Sequence, residues 1–143
     1  MSLPLAMEEV FAFFAAAQNL ERITPPELGF RIAAPLPIDI REGTTIDYRL
    51  SLFGLPFTWR SLISSWEPPH VFVDEQIKGP YRLWHHTHTF EESDAGTVIT
   101  DRVLYRLPLW PLGEVALPLV KLQLRRIFAY RQEAIRKLLL NQD

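Results

Sequence analysis

The chain has 143 residues, 48% of them hydrophobic and 22% charged, which is the composition of a single folded globular domain rather than a disordered segment. It has no cysteine, which excludes disulfides, zinc fingers, thiol nucleophiles and iron–sulfur clusters. A net charge of −2 and a pI near 6.1 give no electrostatic footprint for nucleic acid. Aromatic residues are abundant at 12% of the chain, and twelve prolines stand against six glycines.

Ala6 to Ala17 reads as a helix, with Val10, Phe13, Phe14 and Ala17 at helical spacing and Glu8 and Glu9 in its first turn. The apolar start is interrupted by these acids and preceded by no cation, a poor fit to a secretory signal. Asn19 is placed to cap a second short helix that Pro25-Pro26 stops. From Phe30 the period changes to two. Thr44 to Leu52 puts Ile46, Tyr48, Leu50 and Leu52 on one face, and Phe53-Gly54-Leu55-Pro56 is turn-like. Thr58 to Trp66 follows, with Trp59, Ser61 and Ile63 on one face. Pro68-Pro69 breaks it, Val71 to Ile77 is a further strand, and Gly79-Pro80 is a turn.

Tyr81 to Glu91 and Thr97 to Leu107 are two longer strands joined at Ser93-Asp94-Ala95-Gly96. Loops of hairpin length imply an antiparallel sheet. A long helix from Leu112 to Leu140 closes the chain, with Val120, Leu124, Ile127, Phe128, Ile135 and Leu138 as its apolar stripe. Its cations, Lys121, Arg125, Arg126, Arg131, Arg136 and Lys137, read as a solvated face. Val103 to Val120 contains Arg106, Glu114 and three prolines, so no stable membrane insertion is expected and a cytoplasmic location is. The order of elements is that of an α+β domain spanning residues 1–143.

Strand period fixes the inward faces. On Tyr81–Glu91, Arg82, Trp84, His86, His88 and Phe90 share the face marked inward by Trp84 and Phe90, and Tyr81 falls on the other. On Thr97–Leu107, Ile99, Asp101, Val103, Tyr105 and Leu107 share the inward face, since Arg102 and Arg106 mark the other outward. Pairing Phe90 with Ile99 keeps both apolar faces inward. It sets His88 opposite Asp101, His86 opposite Val103 and Trp84 opposite Tyr105.

Buried ionisable groups are costly unless paired. Three readings of the His88–Asp101 pair stand at this point: a satisfied polar network that holds register, a polar anchor in a ligand cavity, or a catalytic acid–base pair. His86, His88 and Asp101 also have the composition of a facial triad, but His85 points away from them and no further ligand is placed nearby, so no metal and no cofactor is expected. No phosphate-binding glycine loop or nucleophile elbow is present in the sequence.

Three runs carry a resemblance: Gly54-Leu55-Pro56-Phe57-Thr58-Trp59, Phe72-Val73-Asp74-Glu75-Gln76, and Gly79 to Phe90 with its Trp84, His86, His88 and Phe90. Together with Asp101 to Pro108 and Ile127-Phe128-Ala129-Tyr130-Arg131, they resemble the SRPBCC (START/Bet v1-like) superfamily, specifically its bacterial ligand-binding and polyketide cyclase/dehydrase-like branch. The resemblance implies a helix-grip fold, a curved antiparallel sheet around a long C-terminal helix with an apolar cavity between them. It implies binding of a hydrophobic small molecule such as a lipid, quinone or polyketide.

On that reading Tyr48, Trp59, Trp84, Phe90, Val103 and Tyr105 supply apolar wall, and His86, His88 and Asp101 orient a polar end. Residues Pro108 to Pro118 are expected at the mouth. The alternatives are a cyclase or dehydratase in which His88 and Asp101 move a proton, and a structural domain with a filled core. Relatives open with a strand that covers the edge of the strand corresponding to Thr97–Leu107. Here only Met1 to Leu5 precede the first helix, so that strand is expected to be short or missing and the exposed edge to favour a homodimer.

Overall fold

A computed structural model of the protein describes residues 1–141. Two hydrogen-bonded residues, β1 (Ser2–Leu3), lead into helix α1 (Met7–Ala15) and the short helix α2 (Asn19–Arg22). A 3-10 turn (Pro26–Leu28) ends at Gly29, followed by β2 (Arg31–Ile32). The strands β3 (Thr45–Leu52), β4 (Leu55–Glu67), β5 (Val71–Lys78), β6 (Leu83–Ser93) and β7 (Gly96–Arg106) then run as successive hairpins. The chain closes with a 3-10 turn (Leu112–Ala116) and helix α3 (Leu117–Leu140). One antiparallel sheet results, in the order β1-β7-β6-β5-β4-β3-β2. This is an α+β architecture of the helix-grip kind.

The turns follow from local chemistry. Phe53 and Gly54 both have positive φ, 50° and 77°, and form the two-residue loop between Leu52 and Leu55 that a tight hairpin requires. Register shifts in the β4–β5 pairing, between Arg60 and Ser61 and between Ile63 and Ser65, are the bulges that let so long a strand curve. The β6–β7 register is the expected one: Phe90 opposite Ile99, His88 opposite Asp101, His86 opposite Val103 and Trp84 opposite Tyr105.

Several expectations need correction. Asn19 is the first residue of α2 rather than its cap, and its side chain donates instead to the Phe13 carbonyl, 2.9 Å away. Strand β6 begins at Leu83, so Tyr81 lies ahead of it and is not bound by its alternation. Tyr81 is buried on the inner side against Trp59, Trp84 and Tyr105. The closing helix is split, because residues 112–116 wind as a 3-10 turn before Pro118 enters the first turn of α3. The N-terminal strand is short, as expected: Ser2 pairs with Val98 and Leu3 with Thr97, and Met1 exchanges backbone hydrogen bonds of 2.8 Å with Ile99. Gly96, at φ 128°, makes room for it, since a Cβ there would meet the Leu3 carbonyl at 2.1 Å. The covered part of the β7 edge is therefore its first few residues. Asp101 to Arg106 have no strand on that side among the described residues.

The core has two parts. Under α1, Val10 and Phe11 pack with Leu3, Phe72, Phe90, Ile99 and Ile135. Toward the other end of the sheet, Ala17, Ile46, Tyr48, Trp59, Tyr81, Leu107 and Val120 form a second cluster, with Trp84, Tyr105 and Leu124 against it. The candidate site lies where the two meet.

Candidate functional site

The inner faces of three adjacent strands bring four ionisable side chains together. Asp74 comes from β5, His86 and His88 from β6, and Asp101 from β7, with Asp74 opposite His86 and Asp101 opposite His88 in the ladder. The two imidazoles lie over one another with ring centroids 3.7 Å apart and planes inclined by 33°. His88 also stacks on Phe72, centroids 4.0 Å apart, and His86 meets Trp84 and Phe128 edge-on. One carboxylate stands at each side of the imidazole pair. His86 Nε2 is 2.8 Å from Asp101 Oδ1, and His88 Nε2 is 2.6 Å from Asp74 Oδ2. The diagonal contacts are longer: His86 Nδ1 to Asp74 Oδ2 is 3.7 Å, and His88 Nδ1 to Asp101 Oδ1 is 3.1 Å but out of line for a hydrogen bond.

Both histidines are buried and both aspartates nearly so, with side chains 19% and 20% exposed. Such an arrangement survives only if charges balance locally. Burial raises the cost of ionising Asp101, but the hydrogen bond from His86 and the close approach of His88 outweigh it and hold its pKa well below the usual carboxylate range. Asp74 is likewise lowered, burial being overcome by electrostatic attraction to His86, the hydrogen bond and charge of His88 and, farther off, Arg131. Both carboxylates are therefore ionised, and an ionised carboxylate only accepts, so the facing Nε2 of each histidine carries the proton. The histidines then part company. Burial and the neighbouring His88 charge push His86 down to about 4, leaving it neutral with a bare Nδ1. For His88, burial is outweighed by the Asp101 carboxylate 3.1 Å from its Nδ1 and by its hydrogen bond to Asp74, and its pKa is raised. With both carboxylates ionised, His86 neutral and His88 shifted toward its charged form, the carboxylate charge of the box exceeds its imidazolium charge.

A cavity of about 150 Å³ opens beside this box, between the sheet, the helices α1 and α2, and α3. Tyr48, Trp59, Trp84, His86 and His88 line it; Phe90, Asp101, Val103 and Tyr105 do not. Phe90 lies in the core under α1, with Phe11, Phe14 and Phe72 around it. Val103 and Tyr105 are half-buried on β7, beyond the cavity, and Asp101 reaches it only through the histidines it holds. No residue of the 108–118 segment lines the cavity. Burial pushes the Tyr48 hydroxyl up above its usual range, so it stays protonated.

Among the lining residues that the sequence reading did not place in the site are two charged ones, Asp74 and Arg131. Asp74 shares a strand face with Phe72, an alternation legible in Val71–Ile77 had its faces been separated. Arg131 continues the α3 stripe one turn beyond Ile127 and Phe128, but a cation in an apolar stripe reads as surface.

Donor atoms of Asp74, His86 and His88 lie within 4.8 Å of one another, the composition of a metal site. The geometry is unfavourable. A bound ion lies in the plane of each imidazole that ligates it, and rings stacked at 3.7 Å with a 33° tilt share no in-plane point within bonding reach. The nitrogens are instead directed at carboxylates.

No protein-family model matches the sequence, and no curated protein is similar to it. Solved structures share its fold. Protein Ms6760 from Mycobacterium smegmatis superposes with a TM-score of 0.71 at 18% identity, covering 100% of this chain and 89% of its own. Protein TTHA0849 from Thermus thermophilus does so at 0.68 and 18% identity, covering 99% and 94%. A protein from Rhodobacter sphaeroides gives 0.72 at 13% identity, covering 100% and 91%. These likenesses establish the helix-grip architecture and no activity.

Proposed function

We propose that the protein is a ligand-binding member of the SRPBCC superfamily that holds a hydrophobic small molecule in the cavity between its sheet and α3, without transforming it. The observation that carries this reading is the composition of the cavity wall. Aromatic and aliphatic side chains make up most of the wall, and its ionisable acid and base groups are few, Asp74, His86, His88 and Arg131, the pattern of a site that orients a mostly apolar ligand by a polar end. The size sharpens the substrate class. A space of about 150 Å³ is what a single benzene ring occupies in a preformed protein cavity. A quinone or aryl head group fits; a long lipid chain requires α3 or the α1–α2 corner to move outward. Crystals under xenon pressure test the reading. Xenon density among Tyr48, Trp84 and Phe128 is expected, and an unfilled electron-density map there identifies a filled core instead.

A second reading, a cyclase- or dehydratase-like enzyme, is favoured by one observation: His88, on the cavity wall, is hydrogen-bonded at 2.6 Å to Asp74. In it the second carboxylate, Asp101, holds the neighbouring His86. An imidazole so oriented can exchange a proton with a carbon beside a carbonyl. Acetophenone, one ring with one carbonyl, probes it: enzyme-dependent deuterium incorporation at its methyl group, lost in H88A, supports catalysis.

A further inference from the structure

We infer that the cavity is built for a small aromatic carboxylic acid whose carboxylate sits on the Arg131 guanidinium, and that each ligand bound brings one proton into the box of two histidines and two aspartates. This rests on the cavity reading above and names the polar end of its ligand.

Arg131 projects from α3 into the cavity wall, with its Cζ 5.1 Å from the centre of the Phe128 ring. Its Nε is buried without a hydrogen-bond partner, and its guanidinium forms no ion pair among the described residues. A buried Nε–H left without a partner is costly, and the planar guanidinium fork matches a carboxylate through two parallel hydrogen bonds. The adjoining space of about 150 Å³ takes the ring that carries such a group.

Charge balance then makes the second half of the inference. In the empty cavity the positive Arg131 offsets the surplus negative charge of the box. A bound carboxylate upsets that balance, and burial makes the imbalance costly. The groups facing His86 are Asp74 from β5, His88 from its own strand, Asp101 from β7, and Arg131 from α3, with the protonated Tyr48 of β3 nearby; the residues α1 and α2 bring to the cavity wall carry no titratable group. Of these only His86 has a bare nitrogen aimed at an anion, its Nδ1 lying 3.7 Å from Asp74 Oδ2. Protonating it turns that contact into a charge-assisted hydrogen bond and restores neutrality.

Isothermal calorimetry with benzoate and with benzyl alcohol, near neutral pH in phosphate and in Tris, separates the claims. Benzoate is expected to bind at least about ten-fold tighter than benzyl alcohol, with about one proton taken up per benzoate and none per alcohol. R131Q is expected to remove the preference for benzoate. Equal affinities, or benzoate binding without proton uptake, overturn this inference and leave the cavity reading standing if the alcohol binds. Binding of neither probe overturns both.

A separate observation concerns the outer surface. Between β7 and the middle of α3, Leu109, Trp110, Leu112, Val115, Leu119 and Leu122 are each between 59% and 83% exposed. Single exposed apolar residues are ordinary, but six within one short stretch form a patch of the kind that marks an interaction site. Leu109 is held at φ 60°, an unfavourable conformation for a branched residue, at the point where the chain turns Leu109 and Trp110 outward. Beside them Lys121 and Arg125 are exposed and without ion pairs among the described residues, whereas Arg126 is tied to Glu27. Across residues 108–129 the one acid is Glu114.

We propose that this face docks on an anionic lipid surface, Trp110 and the leucines entering the interface and the cations meeting the headgroups. A two-fold contact between copies would instead crowd both sets of cations into one rim. Cosedimentation tests it, with vesicles of phosphatidylcholine alone and with about 30 mol % phosphatidylserine. Binding to the anionic vesicles is expected, reduced at least about ten-fold by W110S and by the pair K121E and R125E. No binding to either vesicle, or wild-type dimerisation that W110S abolishes, overturns it.

Discussion

Replacing Asp101 by Asn keeps the shape of the side chain and removes its charge. In the native protein that charge accepts a 2.8 Å hydrogen bond from His86 Nε2 and faces His88 Nδ1 at 3.1 Å. Hydrogen bonds to a charged group contribute about 1.5–3 kcal/mol, and removing one member of a buried ion pair costs about 3–5 kcal/mol. The amide oxygen retains the bond to His86, so the net loss lies at the lower end, about 2–3 kcal/mol at neutral pH. For a chain of 143 residues, about 3 °C is lost per kcal/mol, so the melting temperature falls by about 6–9 °C. The pH dependence has a definite sign. The folded pKa of Asp101 lies below its unfolded value, so its contribution is complete above about pH 4 and is lost as the pH falls through the folded value. Urea unfolding of both proteins between neutral pH and about pH 3 measures this, and the gap between them should narrow at the acid end. A loss below about 0.5 kcal/mol, or a gap of constant size at every pH, refutes the charge-balanced box.

The neutral His86 predicts its own acid slope. Its pKa is pushed down to about 4 from the ordinary 6.5, so the unfolded chain takes up the proton first and stability is lost between those two values, by about 3 kcal/mol in all. His88 has the opposite sign, its contribution present below about pH 6.5 and lost as the pH rises through its elevated folded value, so urea midpoints should peak near neutrality; a flat profile across that range contradicts both assignments. Phe90→Ala, at a side chain 1% exposed among Phe11, Phe14 and Phe72, should cost about 3–5 kcal/mol in urea unfolding while leaving probe binding in the cavity intact. Gly96→Ala should expel β1, since its Cβ meets the Leu3 carbonyl at 2.1 Å; faster amide exchange confined to the first residues and the start of β7 is the expected signature.

Where the chain runs as a regular strand, the sequence was an accurate guide. Alternation has a period of two, which restricts the pairing of Tyr81–Glu91 with Thr97–Leu107 to registers that keep Phe90 and Ile99 both inside, and the one that sets Phe90 opposite Ile99 and His88 opposite Asp101 is the one observed. The pairing of charges did not. Two histidines on one face can each turn toward either neighbouring strand, and which carboxylate each one meets depends on rotamers and on β5, whose Asp74 takes His88 while Asp101 takes His86. Tyr81 was misplaced because the period was extended past the bend that precedes Leu83. The two-residue β1 has no period to read; only its distant partners Thr97 and Val98 define it. Arg131 was set aside for a physical reason: cations in a helical stripe are ordinarily snorkelling surface residues, and only the cavity reveals this one as unpaired.

Whether the space between the sheet and α3 holds a small apolar molecule is read most directly by native mass spectrometry of protein purified from the organism that encodes it. A population heavier than the 16.6 kDa chain by the mass of one small, ring-bearing molecule is expected, released on denaturation and lost when R131Q or W84A disturbs the cavity. A chain that flies only at its sequence mass, and that also fails to take up benzoate, benzyl alcohol or xenon, contradicts it.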